Sequence, residues 1–97
     1  MNQMTATAFS PASPELSAQD QQERIAHWLR EYIGDVLSVA PDGIDLDASF
    51  NHLGLDSSAA VGMTGDLGDW LGRELDVAVV YDHPSIHALS RALSPEH

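Results

Sequence analysis

The chain contains no cysteine. Disulfides therefore cannot reinforce its core, and no thiolate is available to bind zinc or act as a nucleophile. Any thiol the protein works with must come from an added group. Positive charge is scarce: 4 basic residues face 15 acidic ones, a formal net charge of −11. That balance disfavours nucleic acid as a partner, because phosphate binding needs clusters of lysine and arginine. Anionic membrane surfaces are disfavoured for the same reason. No apolar run approaches the length needed to cross a bilayer. The N-terminus shows neither the basic segment nor the apolar run of a signal peptide. Together with the missing cysteines, this makes the cytoplasm the expected compartment.

What is present is enough for one small globular domain. The length is 97 residues, of which 43% are hydrophobic. The acidic excess has two readings. It can serve solubility alone, or it can steer the chain toward basic partners through an attraction that salt weakens.

Residues 1–16 are rich in Thr, Ala, Ser and Pro and show no helical period. They read as a flexible tail or linker, leaving a domain over 17–95. A first helix is expected from Ser17, where Ser17 and Asp20 match a capping box. Ile25, Trp28, Leu29, Tyr32, Ile33, Val36 and Leu37 then form one apolar stripe at helical spacing. Pro41 bounds it. Ala40 to Asp56 reads as a long loop pinned by Ile44, Leu46, Leu53 and above all Phe50. A second long helix is expected from Ser57 to Leu71, with Ala60, Met63 or Thr64, Leu67 and Leu71 inward and Gly72 as its C-cap. Gly62, Gly65 and Gly68 each weaken it by ~1 kcal/mol, so packing must hold it. Their spacing permits close approach by a partner or another helix.

The stretch Leu75-Asp76-Val77-Ala78-Val79-Val80-Tyr81 has strand propensity, yet no second strand exists for it to pair with. A short helical turn near Val79–Asp82 is therefore expected instead. The last helix is placed at Pro84, in the first helical position, with Ile86, Leu89 and Ala92 or Leu93 inward, ending at Ser94-Pro95. The sum is an all-α bundle of three main helices and one short one, with a long loop between the first two main helices.

Ser57 is where chemistry is expected. It follows Asn51-His52-Leu53-Gly54-Leu55-Asp56 and precedes Ser58 at a helix start. Unpaired amides and a partial positive charge there favour a phosphate. Asp56 or Ser57 can equally serve as a plain N-cap. The segment Leu53-Gly54-Leu55-Asp56-Ser57 resembles the attachment site of acyl carrier proteins. The resemblance extends from about Gln22 to Leu93, taking in Phe50, Ala60-Val61 and Tyr81-Asp82-His83-Pro84-Ser85-Ile86. It implies a four-helix carrier fold and no catalytic activity. It also implies a 4′-phosphopantetheine arm on Ser57, loaded from coenzyme A by a phosphopantetheinyl transferase with magnesium held by that enzyme. Asp56 would orient the donor or a basic group. Ser58 stands where the family usually has Leu or Ile, and Gly62 where it often has Glu. Asp66 and Asp69 are then the expected acidic contacts, and Val61 and Met63 apolar ones if exposed. The Gly-Leu-Asp-Ser form, with Asp69-Trp70-Leu71-Gly72 and Val79-Val80-Tyr81, is most similar to carriers of polyketide synthases. The implied partners are ketosynthases and acyltransferases.

Other readings are weaker. Ser57, His52 and Asp56 do not make a hydrolase, since no nucleophile elbow is present and the domain is too small for a substrate cleft. His83 and His87, with Asp82 nearby, lack a third metal ligand. Trp28 is expected in the core. Trp70 either anchors a partner or packs at the end of the bundle. The rivals are a peptidyl or fatty acid carrier and, from another class, an acidic helical adaptor that never carries a covalent group.

Overall fold

The computed structural model describes residues 18–94. The tail and the Ser17 cap expected from sequence lie outside the described residues, as does Pro95. Five α-helices follow in order: α1 (Ala18–Leu37), α2 (Phe50–Leu53), α3 (Ser57–Leu71), α4 (Ala78–Asp82) and α5 (Ile86–Leu93). Among the described residues there is no strand, only one isolated antiparallel bridge between Ser49 and Ser85.

Helix α1 packs along α5 and α3. Ile25, Leu29 and Ile33 recur every fourth position, so one side of α1 enters the core. They meet Ala60, Met63 and Leu67 of α3, Val80 of α4, and Ile86 and Leu89 of α5 in one cluster. Trp28, Tyr32 and Leu37 border it as partly buried neighbours. Val36 departs from the expected stripe: it is 45% exposed. Its angular position lies only about 20° from that of Ile25. Val39 beyond the helix is also about half exposed, whereas Leu37 beside Val36 packs against the core.

The long connection after α1 is more ordered than a loop. Pro41–Gly43 forms a 3-10 turn, and Phe50–Leu53 forms α2, with the Ser49 side chain accepting from the His52 amide. Ile44, Phe50 and Leu55 are buried, which fixes this segment to the helices.

The β-branched stretch does become helical. Asp76 Oδ1 accepts from the Ala78 amide at 2.9 Å, and α4 starts there. The start of α5 differs from expectation. Ser85, not Pro84, borders the helix as N-cap, and its Oγ accepts from the Ala88 amide at 3.1 Å. Pro84 is left outside because its carbonyl accepts from the Phe50 amide at 2.7 Å, which ties α2 to this extended corner.

The three interior glycines of α3 differ in their surroundings. A Cβ on Gly68 would lie 2.6 Å from the Arg73 carbonyl oxygen, so the chain folding back after α3 requires glycine there. A Cβ on Gly65 would meet nothing within 4 Å. Gly65→Ala is therefore expected to stabilise the fold by about 0.5–1 kcal/mol through helix propensity. Gly68→Ala is expected to destabilise it by about 1–3 kcal/mol, because backbone must shift. Urea midpoints of the two variants check the opposite signs.

Candidate functional site

The site is the junction of α2 and α3. Gly54 ends α2 in the left-handed region, at φ 101°. The Leu55 amide then donates to the Phe50 carbonyl at 3.0 Å, and the Leu55 side chain plugs into the core. This anchors the residue before the turn and turns Asp56, Ser57 and Ser58 outward, all three exposed. Asp56 is the N-cap of α3, and its Oδ1 accepts from the Ala59 amide at 2.9 Å. Ser57 is thus free of the capping role: it is the first helical residue. Its hydroxyl stands at the positive end of a 15-residue helix. Beside it lies a cleft of about 350 Å³, whose lining includes Asp56, Ser57, Ala60, Val80 and Tyr81.

The other expected site residues separate. Val61 is 55% exposed one turn beyond Ser57. Asp66 and Asp69 are exposed further along α3. Met63 is fully buried, so it belongs to the core and is withdrawn as a surface contact. Thr64 is buried as well and donates its hydroxyl to the Ala60 carbonyl at 2.7 Å. Both inward alternatives at this turn are therefore occupied. Sequence reasoning left Tyr81 out of the site and gave Asp66 no partner within the chain. Tyr81, 60% exposed, lines the cleft beside Ser57. Tyr32 of α1 donates its phenol to the Asp66 carboxylate.

That second contact has a pH signature. Burial raises the Tyr32 pKa above the ordinary 10.0, and the hydrogen bond and charge of Asp66 raise it further. The neutral phenol is the favoured form in the fold. Its stabilising effect is thus complete below pH 10 and is lost as pH rises through the higher folded value. In a Tyr81→Phe background, absorbance at the phenolate band is expected to report a Tyr32 transition above 10 that Asp66→Asn moves down.

No hydrogen bond joins the His52 imidazole to Ser57 among the described residues. His52 instead contributes its backbone amide to the cap of α2. His83 follows α4 as its C-cap, while His87 Nδ1 lies 3.6 Å from Asp47 Oδ1. No group of three potential metal ligands occurs among the described residues. No helix there is long and apolar enough to cross a membrane.

The head of α3 thus presents two exposed serines, Ser57 and Ser58, directly after the Asp56 cap. The phosphopantetheine attachment site family matches residues 27–93, and the chain belongs to that family, whose members bind 4′-phosphopantetheine covalently. It is 40% identical over 88 residues to acyl carrier protein TtuC of Teredinibacter turnerae, covering 91% of this chain and 97% of that one. It is 34% identical over 87 residues to polyketide synthase ThaG of Burkholderia thailandensis, covering 89% of this chain but only 2% of that polypeptide. Among solved structures it resembles a free-standing peptidyl carrier protein of Acinetobacter baumannii, with TM-score 0.71 and 33% identity over 75% of this chain and 91% of that one. The fold expected from sequence, a carrier-like all-α bundle, is the one observed.

Proposed function

We propose that Ser57 is the attachment point of the phosphopantetheine arm and that the chain carries acyl intermediates for a polyketide synthase. The observation that carries this reading is the exposed Ser57 at the capped start of α3, beside an open cleft. The residues fit the group. Asp56 satisfies the Ala59 amide, and the first amides of α3 have no partner within the helix and favour a phosphodiester on Ser57 Oγ. Loading would form an Oγ–phosphorus bond as the bridging phosphorus–oxygen bond of the coenzyme A diphosphate breaks, with adenosine 3′,5′-bisphosphate as the leaving group and the hydroxyl proton passing to the transferase. The arm, when bound, supplies a terminal thiol on which an acyl group is held as a thioester. The chain itself contributes presentation. Asp56 fixes the helix start, Leu55 and Phe50 hold the loop, and Val80 and Tyr81 line the space beside the arm's root.

Partner enzymes meet the exposed side of α3 along its length. Ser58 and Val61 offer the near contacts, and Asp66 and Asp69 steer basic surfaces of the transferase, ketosynthase or acyltransferase. A cytoplasmic location accords with this role. Polyketide use is supported by relatives named as polyketide synthases and by the Gly-Leu-Asp-Ser form of the site. The likeness to a peptidyl carrier keeps a second reading in view. Charging assays on the loaded chain separate them. Polyketide use predicts acceptance of malonyl-type units from an acyltransferase and none of an aminoacyl unit from an adenylation domain. The reverse pattern would establish peptidyl use.

A further inference from the structure

Toward the end of α3 away from Ser57, an aromatic ladder joins α1 to α3. Trp28 stacks on Tyr32, with centroids 5.2 Å apart and rings 19° from parallel. Trp28 also stacks on Trp70, at 5.6 Å and 18°. The Arg24 guanidinium carbon lies 5.9 Å from the Trp70 ring centroid. Trp70 is 41% exposed and is not a member of the core cluster, although Trp28 and Tyr32 border it. A shallow groove of about 640 Å³ opens over the two tryptophans. Asp20, Glu23 and Glu31 line it against Arg24 and His27, whose Nε2 lies 3.8 Å from Glu31 Oε2.

We propose that this groove docks a segment of a partner polypeptide that presents a large apolar side chain flanked by lysine or arginine. Three features select that occupant. The floor includes Trp28 and Trp70, and the exposed part of the Trp70 side chain suits an apolar anchor at small entropic cost because stacking already holds the rings. The groove is rimmed by more carboxylates than cations, so its complement is basic. The net charge of −11 disfavours a second copy of the chain. Trp70 lies near the end of α3 and Ser57 at its start, about 20 Å apart along the helix axis. A partner held on this flank therefore leaves the serine end free for a different enzyme. The surface is formed by the unmodified chain, so its failure would leave the carrier reading standing.

The test is a titration of the isotope-labelled full chain, followed by NMR, with a synthetic dodecapeptide carrying a Leu-Phe pair flanked by lysines. A counterpart with glutamates in place of the lysines is the control. The basic peptide is expected to shift the Trp28 and Trp70 indole signals and the amides of Glu23 and Glu31, and the acidic one to leave them in place. Trp70→Ala is expected to weaken binding by about tenfold while Ser57 loads as before. The Glu23→Gln, Glu31→Gln double variant, which alters no packed side chain, is expected to weaken it as well. Equal binding of both peptides, or shifts confined to the Ser57 end, would overturn the proposal. So would an unmoved affinity in the double variant. Contacts from residues 1–17 to the Trp70 ring would show that the chain's own segment fills the groove. Concentration-dependent shifts without peptide would show that a second copy does. Either result overturns the proposal.

Discussion

Ser57→Ala is expected to gain no phosphopantetheine arm while keeping its helices and its urea midpoint. The second half of that expectation follows from the division of labour at the head of α3. The cap is Asp56, whose carboxylate accepts from the Ala59 amide. Ser57 is exposed and is not the capping residue, so losing its hydroxyl should change stability by less than about 0.5 kcal/mol. Asp56→Ala is the informative contrast: it leaves the nucleophile but removes the cap, at a cost of about 1 kcal/mol. Ser58→Ala should load fully, since Ser57 follows the cap directly. Full loading of the Ser57→Ala variant would move the assignment to Ser58.

Phe50→Ala is expected to be the most damaging single truncation near the site. Phe50 is 4% exposed and belongs to the central cluster. Its backbone is also committed, with the amide donating to Pro84 and the carbonyl accepting from Leu55. Removing a ring from such a position costs about 3–5 kcal/mol. Small domains have only about 5–15 kcal/mol in total. Tm should therefore fall by more than about 10 °C, and chemical denaturation should show a matching loss. A loss below about 1 kcal/mol would mean that the segment from Pro41 to Leu55 does not depend on its aromatic anchor. The structure also links this residue to function, because Phe50 and Ser57 line the same cleft.

Much of this architecture was legible in the sequence, for identifiable reasons. Helix α1 announces itself because Ile25, Trp28, Leu29, Tyr32 and Ile33 fall at i, i+3, i+4, i+7 and i+8, which puts them on one face of a helix but on both faces of a strand. The sequence narrowed the cap to Asp56 or Ser57, and the structure gives it to Asp56, whose carboxylate reaches the third amide. The helical outcome at Ala78–Asp82 was recoverable by asking where a lone strand would find a partner. What escaped depends on contacts between distant segments. Both Pro84 and Ser85 are helix-start residues, and the choice between them is made by the Phe50 amide, which no local pattern near Pro84 encodes. Met63 and Thr64 both face inward, since the crowded side of α3 is wider than a single row of side chains. Val36 has the right angle on α1 yet is 45% exposed, while its neighbour Leu37 packs against the core. The stacked Trp28 and Trp70 are far apart in the chain, and only the packing of α1 on α3 brings them together.

The central claim is that Ser57 bears the arm. Its most direct test is intact-protein mass before and after incubation with coenzyme A and a broad-specificity phosphopantetheinyl transferase, followed by fragment mapping. The account predicts one added arm, on Ser57. An arm mapped to Ser58 would contradict the assignment. No mass gain, on protein shown to be folded and initially unloaded, would make Ser57 only the first residue of a helix and the chain an acidic adaptor.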